Sequence, residues 1–391
     1  MKDDGSGRDE RDLHTLGIHG GAEPPRWGAP VVPPIVQSSA FYGGMAGDDV
    51  TTLYSRYGKN PNQARVGAKV ASLEGMEAGL ALGSGMAAIA LTSLALTRSG
   101  DHVVASRYLY GVTRGFMEIE LPRRGVEVTF IDPARENAWR EALRPSTRFL
   151  YLEIPTNPTL RVFDPGPPAR LAREKGLPLV ADATFASPVN FRAREHGVDL
   201  VIHSATKYLG GHTDLLAGVV CGREELVARV ARLLSLYGPV LDPHAAWLLD
   251  RGLRTLGARM ERQNASAEAL ARWFQDHPRV EEVHYPALES HPDHEVARRV
   301  LQGFGGMLAV VVQGSAEGAE RFCRGLRLAV PAPTLGGVET MVVVPRLSSH
   351  AGIGAEEREA LGIPDGLVRI SVGLEGVEDL RSDFQAALDR I

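Results

Sequence analysis

One lysine, set among small and hydroxyl-bearing residues, is the first feature of this sequence that could do covalent chemistry. Lys207 lies within residues 203–212, which read His-Ser-Ala-Thr-Lys-Tyr-Leu-Gly-Gly-His and follow an apolar stretch. Lysine is otherwise scarce, at Lys2, Lys59, Lys69 and Lys175. Desolvation lowers the pKa of an amine, which makes Lys207 a candidate for forming a Schiff base. The alternative is a solvated lysine at a strand end, and neighbouring motifs must decide between the two.

Two further motifs supply the other needs of one cofactor. Residues 84–86, Ser-Gly-Met, form a turn of small residues between a predicted strand and a predicted helix. Backbone N–H groups there, with the hydroxyls of Ser204 and Thr206, would make a phosphate cradle. Asp182 follows an apolar strand, so it should project from the carboxyl edge of a sheet. An imine-forming lysine, a phosphate cradle and an acid for a ring nitrogen are the requirements of a pyridoxal 5′-phosphate (PLP) site.

Each of these motifs also fits a purely structural role. Residues 83–85 could be a plain tight turn, and an aspartate at the end of a strand is often a helix cap. The elements around the motifs therefore have to place them together.

Short apolar stretches alternate with helical patterns from Pro61 to about Val220. This alternation predicts an α/β fold with a mainly parallel central sheet and helices on both faces. The predicted strands are Leu80–Gly83, His102–Ala105, Val126–Ile131, Phe149–Glu153, Leu177–Ala181, Leu200–His203 and Ala217–Cys221. The predicted helices are Ala68–Ala78, Met86–Thr97, Gly111–Leu121 and Pro167–Lys175.

A long helical pattern over Ala245–Phe274 predicts a connector to a second, smaller α/β domain. We place residues 1–60 in a tail and a Pro-rich arm, 61–255 in a large domain and 256–391 in a C-terminal domain. The small domain is predicted to contain strands Met307–Val312, Glu339–Val343 and Leu367–Val372 and helices Ser315–Leu326 and Val377–Leu388.

Composition excludes several classes of protein. The chain has 391 residues, of which 44% are hydrophobic and 23% charged, as in ordinary globular proteins. A formal charge of −5 gives no reason to expect nucleic acid or a membrane as a partner. Cys221 and Cys323 are far apart and the charged N-terminus lacks an apolar signal core, so a cytoplasmic location is expected.

No metal site is predicted. His291 and His294 have the spacing of metal ligands, but Pro292 and the flanking charges predict an exposed turn with solvated histidines.

From about Val32 to Leu388 the chain resembles the cystathionine γ-synthase, cystathionine γ-lyase and methionine γ-lyase family of Cys/Met metabolism enzymes. The stretch Ser-Ala-Thr-Lys-Tyr-Leu-Gly-Gly-His, residues 204–212, is its most specific motif. The resemblance implies PLP as cofactor and PLP-dependent transferase fold type I, which is aspartate-aminotransferase-like. It also implies amino-acid substrates and a homo-oligomer, a dimer of dimers.

The resemblance also implies roles for individual residues. Lys207 would bind PLP covalently and move protons, Asp182 would pair with the pyridinium, and Tyr110 would stack on the ring and assist proton transfer. Further cofactor contacts would be Gly85, Met86, Ser204, Thr206, Glu153 and Asn157. The alternative for Tyr110 is a structural role as an aromatic side chain in the core. Arg369, whose implied role in binding substrate is given next, has the alternative of forming a structural ion pair.

Substrate and partner contacts are implied in the same way. Arg369, within Leu-Val-Arg-Ile-Ser-Val-Gly, would grip the substrate α-carboxylate through a bidentate fork. Thr340 would be a second substrate contact, where a serine is usual. Tyr54 and Arg56 would reach the cofactor phosphate of the neighbouring subunit. One residue more than usual separates Arg56 from Asn60, which could shift this arm.

The implied activity is PLP-dependent trans-sulfuration by γ-replacement or γ-elimination. We place cystathionine γ-synthase first and cystathionine γ-lyase second, because Pro333 stands where γ-lyases often have Glu. Val112 replaces the cysteine typical of methionine γ-lyases, and Arg346 adds a charge near the expected mouth of the site. Methionine γ-lyase and O-acetylhomoserine sulfhydrylase remain alternatives, with a non-catalytic PLP-binding protein as a remote one.

Overall fold

A seven-stranded sheet carries the larger part of the chain. The computed structural model describes residues 11–21, 26–45, 54–135, 137–352 and 354–391. In sheet order the strands are β1 (Ala78–Leu82), β7 (Gly218–Gly222), β6 (Leu200–His203), β5 (Leu179–Asp182), β4 (Thr147–Glu153), β2 (His102–Ser106) and β3 (Glu127–Ile131). Only β7 runs antiparallel to its neighbours. The predicted strands are thus confirmed with small shifts of their ends.

Helices cover both faces of this sheet and bury two separate apolar clusters against it. They are α1 (Leu13–His19), α2 (Pro61–Glu74), α3 (Gly85–Leu96), α4 (Gly111–Gly115), α5 (Leu121–Arg123), α6 (Ala138–Glu141), α7 (Gly166–Lys175), α8 (Ser187–Asn190) and α9 (Glu224–Tyr237). Because both faces are covered, the central strands β5, β6 and β7 are buried along their whole length rather than on alternate residues. The predicted helix Gly111–Leu121 starts correctly, but its middle, Phe116–Glu120, winds into a π-helical turn.

Helix α2 begins seven residues earlier than predicted, at Pro61. Asn60 caps it, with Gln63 completing a capping box, so the helix starts directly after the arm. At its centre α2 crosses β1, where Gly67 and Gly79 lie so close that a Cβ on either would overlap the backbone of the other. The helix and the strand are therefore in direct backbone contact.

Two helices replace the single predicted connector. α10 (Pro243–Leu253) and α11 (Leu256–Gln275) are separated at Arg254 and Thr255, so the prediction of one helix over Ala245–Phe274 was wrong. The apolar periodicity continues through the break, which is why the sequence pattern did not show it. We propose this break as the boundary between the two domains.

A five-stranded sheet follows α11. Its order is β10 (Val330–Pro331), β11 (Met341–Val343), β12 (Leu367–Ser371), β9 (Met307–Val312) and β8 (Val280–His284). It packs with α11, α13 (Ser315–Gly325) and α15 (Val377–Leu388) around one apolar cluster. Two further helices of this part of the chain are α12 (His294–Val300) and α14 (Ala355–Ala360). The sequence analysis missed β8, β10, α1, α6, α8, α9, α12 and α14. Helix α1 lies in the segment that was predicted to be a tail, and its Leu16 is fully buried. Within the described residues, no helix is long and apolar enough to cross a membrane.

The arm lies against the large domain as an irregular chain. Residues 26–45 contain no helix, and Trp27, Val31, Tyr42 and Met45 are largely exposed. Residues 1–10, 22–25 and 46–53 of the predicted tail and arm lie outside the described residues. Before Asn60 the chain forms a 3₁₀ turn, Ser55–Tyr57, which ends at Gly58 in the left-handed conformation.

A buried ion pair joins α2 to α10. Lys69 is fully buried, and its amine lies 2.6 Å from a carboxylate oxygen of Asp250. Burial lowers the pKa of Lys69, and the charge of Asp250 opposes that shift. Arg65 and Arg254 also pair with Asp250, so this carboxylate balances several cations at once.

Replacing Asp250 with Ala should therefore destabilise the chain strongly. Removing one partner of a buried pair leaves an uncompensated charge, and the expected loss is about 3–5 kcal/mol. Urea unfolding of the apoprotein measures it. The exposed variant Lys175→Met should change stability by less than about 0.5 kcal/mol. A comparably small effect of Asp250→Ala would contradict the role given to this pair.

Candidate active site

One cavity of about 580 Å³ lies at the carboxyl ends of β4, β5 and β6, beside the start of α3. Parallel strands place the residues that follow them at the same edge of the sheet, where open α/β folds bind ligands. The cavity brings together these predicted site residues: Gly85, Met86, Tyr110, Glu153, Asn157, Asp182, Ser204, Thr206, Lys207 and Arg369. Residues from both sheets line it, since Arg369 belongs to β12.

The Lys207 amine faces this cavity in a state suited to nucleophilic attack. Its Nζ lies 3.0 Å from Thr334 Oγ1. Burial, with a further contribution from the Arg369 charge, lowers the pKa of the amine from 10.5 to about 8. A larger fraction of the amine is therefore uncharged near neutral pH than in a solvated lysine.

Asp182 ends β5 and is held by the turn that follows it. Its Oδ1 accepts hydrogen bonds from Thr184 N (3.0 Å) and Thr184 Oγ1 (2.6 Å). The carboxyl group is 6% exposed. Burial raises its pKa, and the Thr184 hydrogen bonds oppose that shift. An ionised Asp182 is therefore most stable when a cation lies against it.

A cradle of backbone and hydroxyl groups forms at the first turn of α3. Ser84 caps this helix by accepting from Ala87 N (3.1 Å), and the next residues, Gly85 and Met86, line the cavity. A Cβ on Gly85 would lie 2.7 Å from Ser204 Cβ, so only glycine lets the first turn of α3 approach Ser204 this closely. The unpaired N–H groups and positive end of a 12-residue helix favour an anion there.

Glu153 fixes two cavity-lining segments through their backbones. Its Oε2 accepts from Tyr110 N (2.7 Å) and its Oε1 from Asn157 N (2.8 Å). It is paired in register with Asp182 on the adjacent strand. Burial and the charge of Asp182 raise the pKa of Glu153 well above its ordinary value. Glu153 therefore shapes the site by holding Tyr110 and Asn157.

Arg369 is a buried cation with part of its fork in use. It is 4% exposed, and it donates to Asn157 Oδ1 (3.0 Å) and to Thr334 O (3.3 Å). Its guanidinium carbon lies 5.9 Å from the centre of the Phe185 ring. A guanidinium lining a cavity in this way can bind a carboxylate.

The donor set fits PLP. The cradle suits its phosphate, Asp182 suits a protonated ring nitrogen, and the amine of Lys207 suits its aldehyde. The close approach of Gly85 to Ser204, which a Cβ would prevent, is an observation of the fold itself, independent of the sequence motif.

Four residues named from the sequence do not line the cavity. Thr340 is fully buried, and its hydroxyl donates to Glu375 (2.7 Å) and accepts from Gly373 N (2.9 Å), so we leave it out of the site proposed below. Arg346 pairs with Glu320 instead of adding a charge at the mouth. Tyr54 and Arg56 lie on the arm, where Arg56 donates to Ser235 O and stacks on Tyr54.

Two contacts were missed by sequence reasoning. Thr334 holds the Lys207 amine from 127 positions away, and no local pattern reports such a contact. Thr184 could have been found, because an Asp followed two residues later by a hydroxyl is a recognised turn signal.

The prediction that His291 is solvated was wrong. It is 3% exposed, its Nδ1 accepts from Asp293 N (3.2 Å), and burial lowers its pKa to about 4. Asp293 binds Arg161, which folds this turn onto the segment after β4. The residues described form no cluster of three or more potential metal ligands.

Comparison with known proteins identifies the family. The family model described as Cys/Met metabolism PLP-dependent enzyme matches residues 14–389. The chain belongs to this family. Its members depend on PLP, so this chain is a PLP-dependent enzyme of the type I fold.

Relatives with different activities are similar to the chain to about the same degree. An L-methionine γ-lyase of Pseudomonas putida is 42% identical over 96% of this chain and 96% of its own. A chloroplastic cystathionine γ-synthase of Arabidopsis thaliana is 39% identical over 92% of this chain and 66% of its own. The crystal structure of a cystathionine γ-lyase from Lactobacillus plantarum complexed with L-serine has a TM-score of 0.93 and 34% identity, covering 97% of this chain and 99% of that one.

The pKa of Lys207 gives a pH-dependent prediction. The rate of covalent attachment of PLP to the apoenzyme should rise with pH, with a midpoint near 8, because the free amine is the nucleophile. Stopped-flow absorbance measures this rate. In Arg369→Leu the midpoint should move to higher pH, since a positive charge that disfavours the ammonium form is lost.

The exposed variant Arg140→Leu serves as the control and should keep the midpoint of the wild type. An unchanged midpoint in Arg369→Leu would show that this charge does not act on the amine.

Proposed function

We propose that this PLP-dependent enzyme catalyses γ-replacement and γ-elimination on amino acids derived from homoserine, with cystathionine γ-synthase activity first and cystathionine γ-lyase activity second. The observation that carries the proposal is the shared cavity of Lys207, Asp182, the cradle at Gly85 and Arg369. A proton-moving amine, a ring partner, a phosphate site and a carboxylate site are what this chemistry needs from the protein.

The side chains have distinct tasks in the proposed reaction. Bound PLP would supply an electron sink for negative charge developing at the substrate Cα. Arg369 binds the α-carboxylate and orients the substrate. The Lys207 amine removes the Cα proton and later moves a proton to or from Cβ, because its lowered pKa keeps a useful fraction of free base. Asp182 would pair with the ring nitrogen of bound PLP and keep it protonated.

Tyr110 acts as an acid in this scheme. Burial raises the pKa of its hydroxyl, and the neighbouring Arg369 charge opposes that shift. A phenol that stays protonated can donate to a γ-leaving group as it departs. Tyr110 is held in place by its backbone hydrogen bond to Glu153.

The cavity has two uncharged side chains at positions that bear on the choice between γ-replacement and γ-elimination. Val112 and Pro333 both line it, at the two positions that separate the expected subclasses in the sequence. Neither side chain carries a charge. A proline at 333 is the feature on which the order of γ-synthase before γ-lyase rests.

A substrate panel tests the proposed activity. Purified enzyme with O-acetyl- or O-succinylhomoserine and cysteine should form cystathionine faster than it releases a 2-oxo acid from cystathionine or from methionine alone. In Lys207→Ala turnover should fall by about 10²- to 10⁴-fold or more, because proton transfer is lost along with the covalent link.

Other outcomes of the panel would reverse this order. Methionine as the best single substrate would identify a methionine γ-lyase, and sulfide outcompeting cysteine would identify a sulfhydrylase. No turnover with any substrate would favour a PLP-binding protein without catalysis.

We further propose a homo-oligomer whose sites are completed across a dimer interface, in a cytoplasmic enzyme. Tyr54 and Arg56 lie on the arm and do not line the cavity of their own chain, and the arm also carries exposed apolar side chains such as Trp27 and Tyr42. A second copy of the chain would cover this surface and receive Arg56 at its phosphate site.

Subunit mixing tests this arrangement. Lys207→Ala and Arg56→Ala should each be nearly inactive, yet co-refolded together they should recover about a quarter of wild-type activity, because half of the dimers are hybrids with one intact site of two. Size-exclusion chromatography confirms that hybrids form. Activity no greater than the average of the two variants would place Arg56 at its own subunit's site.

A further inference from the structure

Arg259 is a buried cation whose hydrogen bonds all go to neutral oxygens. It lies on α11, is 4% exposed, and donates to Tyr208 O (2.8 Å), Gly252 O (2.8 Å) and Thr255 Oγ1 (3.2 Å). Burial lowers its pKa to about 10. A charge held in this way is costly unless something nearby compensates it.

The end of α10 supplies that compensation. Gly252 belongs to the last turn of this helix, where the carbonyl groups carry a partial negative charge. The guanidinium thus sits at the break between α10 and α11. From there its Nη1 donates to the carbonyl of Tyr208, the residue after Lys207.

The lysine segment is shaped to receive this guanidinium. Lys207 O accepts from Gly211 N (2.8 Å), and Lys207 N donates to Ser204 O (3.0 Å), which closes the segment into a compact turn. Gly211 has a φ of +72°, and a Cβ at this position would overlap the guanidinium of Arg259. Arg259 therefore packs against the turn at Gly211 and also bonds it at Tyr208.

The same helix also holds the other side of the lysine. One turn after Arg259, Gln263 donates to Gly337 O (2.9 Å). Gly337 lies three residues after Thr334, and the Thr334 hydroxyl contacts the Lys207 amine. Residues four apart lie on one face of a helix. One face of α11 thus sets the position of the lysine backbone and of the group that binds its amine.

We propose that Arg259 is a positioning residue for Lys207, fixing the backbone of the lysine turn relative to Thr334 so that the amine is aimed into the cavity. This inference rests on the proposed function, in which Lys207 binds PLP and moves protons. Arg259 does not touch the cavity, and it acts through the turn it holds.

Two variants test the contact from opposite sides. Arg259→Lys keeps the charge but loses the fork, so one ammonium cannot hold both carbonyl groups in the same geometry. Gly211→Ala keeps the arginine and displaces its guanidinium. In each, kcat should fall about 10- to 100-fold with KM within about twofold, because a small misplacement of a reacting group slows chemistry. The pH midpoint for covalent PLP attachment should also shift, reporting on the amine itself.

The double variant should be no worse than the more impaired single one, since both changes break one contact. Arg272→Lys, an exposed position on the same helix, is the matched control and should leave kcat and the midpoint unchanged. Thermal unfolding of the holoenzyme is followed in parallel.

The outcomes separate this inference from the proposed function. Borohydride reduction and mass spectrometry of the wild type first show whether PLP attaches at Lys207, and attachment elsewhere would overturn the proposed function. If PLP attaches at Lys207, the two variants Arg259→Lys and Gly211→Ala decide the inference. A lower melting temperature with unchanged kcat and unchanged pH midpoint in both would show that Arg259 only stabilises the fold, and would overturn the inference.

Discussion

Desolvation of one amine is the physical constraint on which the site depends. The Lys207 side chain loses water to the cavity walls and lies near the Arg369 charge, and both effects disfavour the ammonium form. The carboxyl groups of Glu153 and Asp182 line the same cavity. An ion pair between either of them and Lys207 would stabilise the ammonium form. The hydrogen-bond partner of the Lys207 amine is instead the neutral hydroxyl of Thr334.

The two carboxyl groups at the sheet edge are kept distinct by their surroundings. Glu153 and Asp182 are neighbours in register, and burial raises the pKa of both. Glu153 is occupied on both oxygens by backbone N–H groups, whereas Asp182 is bonded on one oxygen by Thr184. One carboxyl group therefore organises the protein, and the other is available to a ligand. Environment, not residue type, assigns these tasks.

Much of the larger sheet was predictable because strands buried on both faces leave short apolar stretches between helical patterns. Site residues that directly follow strands, such as Asp182, were predictable for the same reason. The pattern failed where tertiary contacts decide. The break before α11 interrupts a continuous apolar periodicity, and His291 is buried despite charged neighbours because Asp293 binds Arg161. Thr334 lies in the loop between β10 and β11 and contacts Lys207 across 127 positions of the chain, which no local pattern reports.

The contact of Gly67 with Gly79 has a consequence beyond its own position. No layer of side chains separates α2 from β1 there, so no rearrangement of rotamers can absorb an added methyl group. Any bulkier residue would displace the whole helix, including its first residue, Pro61. The arm is attached at that end, so a change made deep in the core would alter where Arg56 lies on the surface.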